Sequence, residues 1–173
     1  METMIQSLAM SFAGRTRRNH ALEHATLSVL AQKRHSYRLA GHSDQDGCWI
    51  IGTVATEDLI AAAEEARQRL LAGERDLAIH PNCGTNIVAA GVLAGTAAWL
   101  SMLGVAKDWH SKMERFPLVV SLVTMALVVA QPLGPALQKR VTTDAAIGDL
   151  RIVEVKRTIQ GGVTMHRIVT ASS

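Results

Sequence analysis

The sequence predicts an α+β membrane protein: an N-terminal helix, a β-hairpin and a second helix, a two-helix transmembrane hairpin, then a C-terminal β-hairpin. Three observations carry that class. Residues 77–106 and 116–138 contain no Asp, Glu, Lys or Arg. Two earlier segments repeat apolar residues at the helical period. Two segments near the C-terminus alternate apolar and polar residues around Gly161-Gly162, the pattern of a hairpin.

Taken in order, residues 1–14 read as a lead-in to the first helix. Their charge follows the apolar part instead of preceding it, unlike a secretory signal. Residues 17–34 form a helix with Leu22, Ala25 and Val29 on one face and His20, His24, Leu27 and Ala31 on the other. From Asn19 to Gln32 the only ionisable groups are His20, Glu23 and His24. A helix apolar on nearly all sides is buried. Strands are expected at 37–40 and 48–51, joined by the turn formers of GHSDQDG, with Asp44 and Asp46 serving the turn. A helix from Thr56 to Leu71 opens on Thr56-Glu57-Asp58, a cap with acids in its first turn, and buries Leu59, Ala63, Ala66 and Leu70.

Residues 86–104 and 116–133 follow, each long enough to cross a hydrocarbon core of roughly 30 Å. The intervening 105–115 is polar. Gly91 and Gly95 make a GxxxG pair, which lets helices approach closely in lipid; the second span is its expected partner, and a second copy of the chain is the rival. Strands at 151–159 and 163–170 close the chain and extend the first hairpin into one small sheet, since a lone hairpin is marginal. The organisation is thus an α+β metal-binding region at 1–85, a membrane hairpin at 86–134 and a C-terminal region at 135–173 that packs on the first.

Of the 173 residues, 48% are hydrophobic but only 3% aromatic, and the net charge is +3. The Lys and Arg residues are scattered, with no interleaved aromatics, which argues against nucleic acid and for juxtamembrane charge next to a lipid bilayer. Arg67, Arg69, Arg75, Lys139, Arg140 and Arg151 lie on the side of the polar regions, against Lys107, Lys112 and Arg115 in the loop. With no export signal, both polar regions are expected in the cytoplasm of a bacterial inner-membrane protein. Cys48 and Cys83 are too few for a disulfide framework. They form one disulfide, or Cys83 is a thiolate ligand.

His20-x-x-Glu23-His24 matches H-x-x-E-H, the inverted zincin pattern. Residues four apart on a helix face the same way, so both imidazoles reach one metal. Glu23 lies one step from His24, placed to ligate or to act on water as general base. His80-Pro81-Asn82-Cys83 adds an imidazole and a thiol at a compact chelating spacing on a Pro turn. Together His20, His24, His80 and Cys83 make a full tetrahedral set for zinc. Thr85 or Asn86 is positioned to cap the helix that follows, directing its positive end towards the metal. His110 and His166 read as surface residues, and Gln138, Thr142 and Thr143 as groups that approach the site.

The combination of NHALEHAT, GERDLAIHPNCGTN and GPALQKRVTTD resembles an uncharacterised bacterial membrane-protein family, a domain of unknown function, over most of the chain. The two motifs are also similar to those of predicted metal-dependent membrane proteins that carry H-x-A-E-H and then H-P-x-C-G-T before a span. His20, Glu23, His24, His80, Cys83, Gly84 and Thr85 match that pattern position by position. The resemblance brings no established reaction. True inverted zincins take their third ligand from a later Glu; here His80 and Cys83 suit by residue type.

Three readings follow. In the first, the protein is a membrane-embedded zinc-dependent hydrolase, with peptidase the leading class. Glu23 is then the general base, and Cys83 or His80 stands back to leave an open position. In the second, all four ligands close a structural or regulatory zinc site in a scaffold, sensor or adaptor, with Glu23 supporting an imidazole. In the third, no metal binds and the groups form a buried hydrogen-bond network. That last arrangement is costly for a charged Glu23 unless it is paired.

Overall fold

The computed structural model describes residues 2–33, 38–106 and 108–172, with residues 2–12 by backbone alone. The chain divides into two compact units, Met1–His80 with Lys139–Ser173, and Pro81–Gln138.

The first unit opens on α1, Glu2–Lys33. It begins well before the expected position 17 because residues 1–14 contain neither Pro nor a run of turn formers. Strands β1 (Ala40–Asp44) and β2 (Gly47–Ile51) follow, then α2 (Thr56–Leu71), a 3-10 turn (Arg75–Ala78), and strands β3 (Arg151–Gln160) and β4 (Val163–Ala171). The two hairpins join in one antiparallel sheet of order β1-β2-β4-β3. The strand expected at 37–40 is displaced. Tyr37 lies outside the described residues, and β1 runs through the residues read as a turn. Pairing with β2, from Ala40↔Ile51 to Asp44↔Gly47, overrides their turn propensity and leaves only Gln45-Asp46 between the strands.

Packing follows the apolar faces. Leu22, Ala25, Val29 and Leu30 of α1 meet Leu59, Ala63, Ala66 and Leu70 of α2, and Cys48, Ile50 and Ile168 supply the sheet face. Each fully buried Leu or Ile contributes about 1.5–3 kcal/mol. The cap of α2 differs from expectation: Ala55 holds the N-cap position without a side-chain bond. Thr56 instead lies 3.0 Å from His166 Nε2. On the outer sheet face Arg167 forks onto Asp44, at 2.7 and 2.8 Å, and stands over the Trp49 ring.

The second unit pairs α3 (Gly84–Ser101) with α4 (Trp109–Leu137), which carries Pro117, Pro132 and Pro135 and runs on into a π-helical turn, Gln138–Thr142. Both helices are long and apolar enough to cross a membrane, and only 11% and 6% of their most apolar windows are buried within the chain. A core helix of a soluble domain would be mostly covered. Here Ile87 is 73% exposed and Met125 63%.

Cys83, not Thr85 or Asn86, occupies the N-cap of α3, and its side chain makes no cap bond. Asn86 has a different task. Its Nδ2 donates to the Pro81 carbonyl at 2.7 Å, and its Oδ1 accepts from Gln138 Nε2 at 2.6 Å. Gly134 makes room for it, since a Cβ there would lie 2.3 Å from Asn86 Oδ1. The second span is not the partner of the GxxxG pair: no described atom lies within 4 Å of a Cβ built on Gly91 or Gly95. The contact with α4 instead uses the other face of α3, where Ala89 and Ser101 are buried.

His110 is exposed, as expected, beside Glu114. His166 is not: it is buried on the core face of β4, and its Nδ1 has no hydrogen-bond partner. Burial, and then the Arg157 cation, push its pKa below the ordinary imidazole value, against a smaller opposing pull from Glu57. The folded state therefore binds fewer protons than the unfolded chain. Its contribution is fully present above the unfolded value of about 6.5 and is lost as pH falls below it. Denaturation midpoints should drop between neutral pH and about pH 5.5, and the drop should be shallower in His166→Gln.

Candidate metal centre

Helix α1 reaches the centre of the first unit with its middle turns buried, so its polar side chains must find partners there. Asn19 donates to the Asp44 carbonyl at 2.8 Å and accepts from Thr170 Oγ1 at 2.7 Å. Thr26 turns back on the Leu22 carbonyl. Arg17 Nη2 donates to the carbonyls of Arg140 and Thr143, at 3.3 and 3.1 Å. Those carbonyls lie where a helix ends, where such groups lack intrahelical donors.

The two histidines of the motif are anchored in the same way. His20 Nδ1 lies 2.9 Å from the Thr142 carbonyl, and His24 Nδ1 lies 2.7 Å from that of Ala78. A carbonyl oxygen only accepts, so each Nδ1 carries a proton, which leaves Nε2 as the one ring nitrogen open to a metal. The ring centroids are 4.2 Å apart, and the ligand nitrogens lie within 4.8 Å of each other. His80, just beyond the 3-10 turn, brings a third imidazole, its centroid 5.7 Å from that of His24.

Glu23 is 4% exposed and directed at the sheet. Ser43 of β1 donates its hydroxyl to Glu23 Oε2. Gly41, two residues earlier, presses so closely that a Cβ there would lie 2.0 Å from Oε1. Cys83 belongs to the second unit, where it is a buried thiol. It follows His80 by three residues, so chain length alone keeps its Cα within about 11 Å of that of His80. The alternative of a Cys48–Cys83 disulfide does not hold, because both cysteines are free. Cys48 is wholly buried on β2, and burial, with a smaller effect from the Glu23 charge, raises its pKa far above the usual thiol range. It stays a protonated core residue.

Sequence reasoning missed Gly41 and Ser43, which hold the carboxylate, and the carbonyls of Ala78 and Thr142, which set the tautomers. Gly41 and Ser43 looked like turn residues. A backbone carbonyl leaves no trace in a sequence.

These features define a class: an α+β unit with a histidine pair on its central helix, His24 buried and His20 half-buried, joined to two helices long and apolar enough to span a membrane. The chain belongs to a family described as a domain of unknown function, DUF6391, whose model matches residues 15–155. It is 40% identical over 165 residues to an uncharacterised protein of Picosynechococcus sp., covering 87% of this chain and 76% of that relative. No solved structure matches it.

Two outcomes test the geometry. Gly41→Ala should cost about 1–3 kcal/mol by thermal or chemical denaturation, because the added methyl displaces the Glu23 carboxylate. Cys48 should resist alkylation in the native protein and react after denaturation, as read by peptide mass.

Proposed function

We propose that this protein is an integral-membrane, zinc-dependent hydrolase, with peptidase its leading class. The observation that carries the reading is the histidine pair. His20 and His24 each give Nδ1–H to a backbone carbonyl, so Nε2 of each is the ring nitrogen left for a metal, and the two rings lie side by side. Such anchoring of the distal ring nitrogen is usual for metal-bound histidine.

The donor set suits zinc: two imidazoles, with His80 and Cys83 as further ligands of the right chemistry. Bound zinc would supply Lewis acidity and bring the pKa of a coordinated water to about 7. The chain's own part is to hold and move the proton. Glu23, adjacent to His24 on α1, takes it from water, and Ser43 orients the carboxylate. The reading needs Cys83 or His80 to stand outside the first coordination sphere, so that a substrate position exists.

A second reading is favoured by a specific contact. The Ser43 hydroxyl and the Gly41 backbone engage Glu23 from the sheet side. That supports a closed zinc site of structural or regulatory use, in a scaffold, sensor or adaptor, with Glu23 tying α1 to β1.

The membrane assignment rests on the exposed apolar surface of α3 and α4. Arg75, Lys139, Arg140 and Arg151 flank the spans on the side of the first unit, which supports a cytoplasmic position for that unit by the positive-inside rule. Gly91 and Gly95, exposed on α3, form the face on which a second copy would pack.

Metal analysis of the full chain in detergent tests the centre. Wild type should hold about one zinc per chain, and His24→Ala and Cys83→Ser should each lose it. Zinc retained in both variants would sink the shared site. Glu23→Gln should keep zinc while peptide hydrolysis falls about 10²–10⁴-fold. Hydrolysis equal to wild type would remove Glu23 as the base. A chelator that collapses the melting temperature of a protein with no hydrolytic activity would decide for the structural reading.

A further inference from the structure

We propose that the first unit carries a binding pocket for a phosphate group, separate from the histidine pair and independent of the function proposed above. A cavity of about 160 Å³ lies between α1, the 3-10 turn and the residues after the π-helical turn. Three cations line it, Arg17, Arg75 and Lys139, with one carboxylate, Asp144.

The lining carries three cations against one carboxylate. Arg15, Arg18, Lys33, Arg67, Arg69, Lys156 and Arg167 each have a carboxylate within 4 Å. Among the described residues, no such ion pair forms at Arg17, Arg75 or Lys139, nor at Arg38, Lys112, Arg115, Arg140, Arg151 or Arg157; what distinguishes the first three is that they line one cavity. Asp144 is itself engaged, accepting from the Ala146 amide at 3.1 Å. Converging cations in a concave wall of low dielectric raise the local concentration of anions.

A second observation concerns Arg17. Its Nη2 is occupied by the carbonyls of Arg140 and Thr143, which fix the guanidinium in place. Its Nε is closed to solvent, so a phosphate in the cavity would be held by the charge of the fixed guanidinium, with Arg75 and Lys139 closing from the rim. The planar Arg donors suit phosphate geometry and Lys adds a point charge.

The phosphate has two chemical sources, an anionic lipid headgroup or a soluble phosphate compound. Lys139 comes directly after the apolar run of α4, where cations meet headgroups. The experiment uses the full chain in nanodiscs of phosphatidylcholine alone or with added phosphatidylglycerol. Inorganic phosphate binding is read by calorimetry and lipid retention by native mass spectrometry. In phosphatidylcholine, wild type should bind inorganic phosphate, and Arg75→Ala/Lys139→Ala about tenfold or more weakly. Both residues are exposed, so the double variant should keep the fold, checked by circular dichroism. Asp144→Asn keeps the acceptor for Ala146 and should bind more tightly than wild type. If phosphatidylglycerol abolishes phosphate binding and is retained by wild type above the double variant, the pocket holds a lipid headgroup. If phosphate binding persists in phosphatidylglycerol, its ligand is soluble. Wild type that neither binds phosphate nor retains phosphatidylglycerol would overturn the pocket, as would a double variant that matches wild type in both.

Discussion

The first unit depends on one constraint: the middle of α1 is buried, yet it carries Arg17, Asn19, His20, Glu23, His24 and Thr26. Each such group costs about 1–3 kcal/mol if left unpaired, and more if charged. Thr26 is satisfied within the helix. The other five find partners on distant segments, at Thr142 and Thr143, Asp44 and Thr170, Ser43, and Ala78. The polar side chains therefore do what an apolar helix surface cannot. Hydrophobic burial holds α1 in the core without a preferred rotation, because its apolar residues lie on nearly all sides. The directional bonds fix its rotation and its register against the sheet, the 3-10 turn and the residues after α4.

The same bonds give the histidines their chemistry. The carbonyls of Arg140, Thr142 and Thr143 stand where the helical ladder of α4 is running out. The chain passes through a π-helical turn before it leaves, and the last carbonyls of any helix have no intrahelical donor. Carbonyls left without helical donors are strong acceptors, and α1 meets them with a guanidinium and an imidazole three residues apart. The helix end is capped, and His20 is locked in one tautomer, by one and the same hydrogen bond. Ala78 does this for His24 at the end of the 3-10 turn.

Much of this was legible in residue patterns. The second helix runs from Thr56 to Leu71 with its expected stripe buried, and the alternation at 151–170 gives the second hairpin. The charge-free runs give α3 and α4, since an uninterrupted apolar run admits few alternatives. What failed was decided by partners far along the chain. GHSD reads as a turn by composition, and only pairing with β2 makes it a strand. His166 reads as a surface residue amid Arg and Thr, but its place on β4 opposite Ile50 puts it in the core. The GxxxG pair was assigned to the wrong neighbour because small residues also line the other face of α3, and that face meets α4.

Glu23 shows how far a motif can specify geometry. H-x-x-E-H puts the glutamate about 60° from His20 and about 100° from His24 around the helix, to one side of the pair. From there a flexible side chain can turn to the histidine pair or to the sheet, and the motif does not decide between them. The decision belongs to β1. Gly41 exposes bare backbone where a side chain would collide with the carboxylate, and Ser43 offers a donor beside it. Neither residue is needed for the sheet to form, because many residues pair as well or better in a strand. Their presence at these two positions is explained by the carboxylate alone. Whichever of the proposed functions holds, strand β1 is shaped around Glu23, so the sheet and the histidine helix belong together.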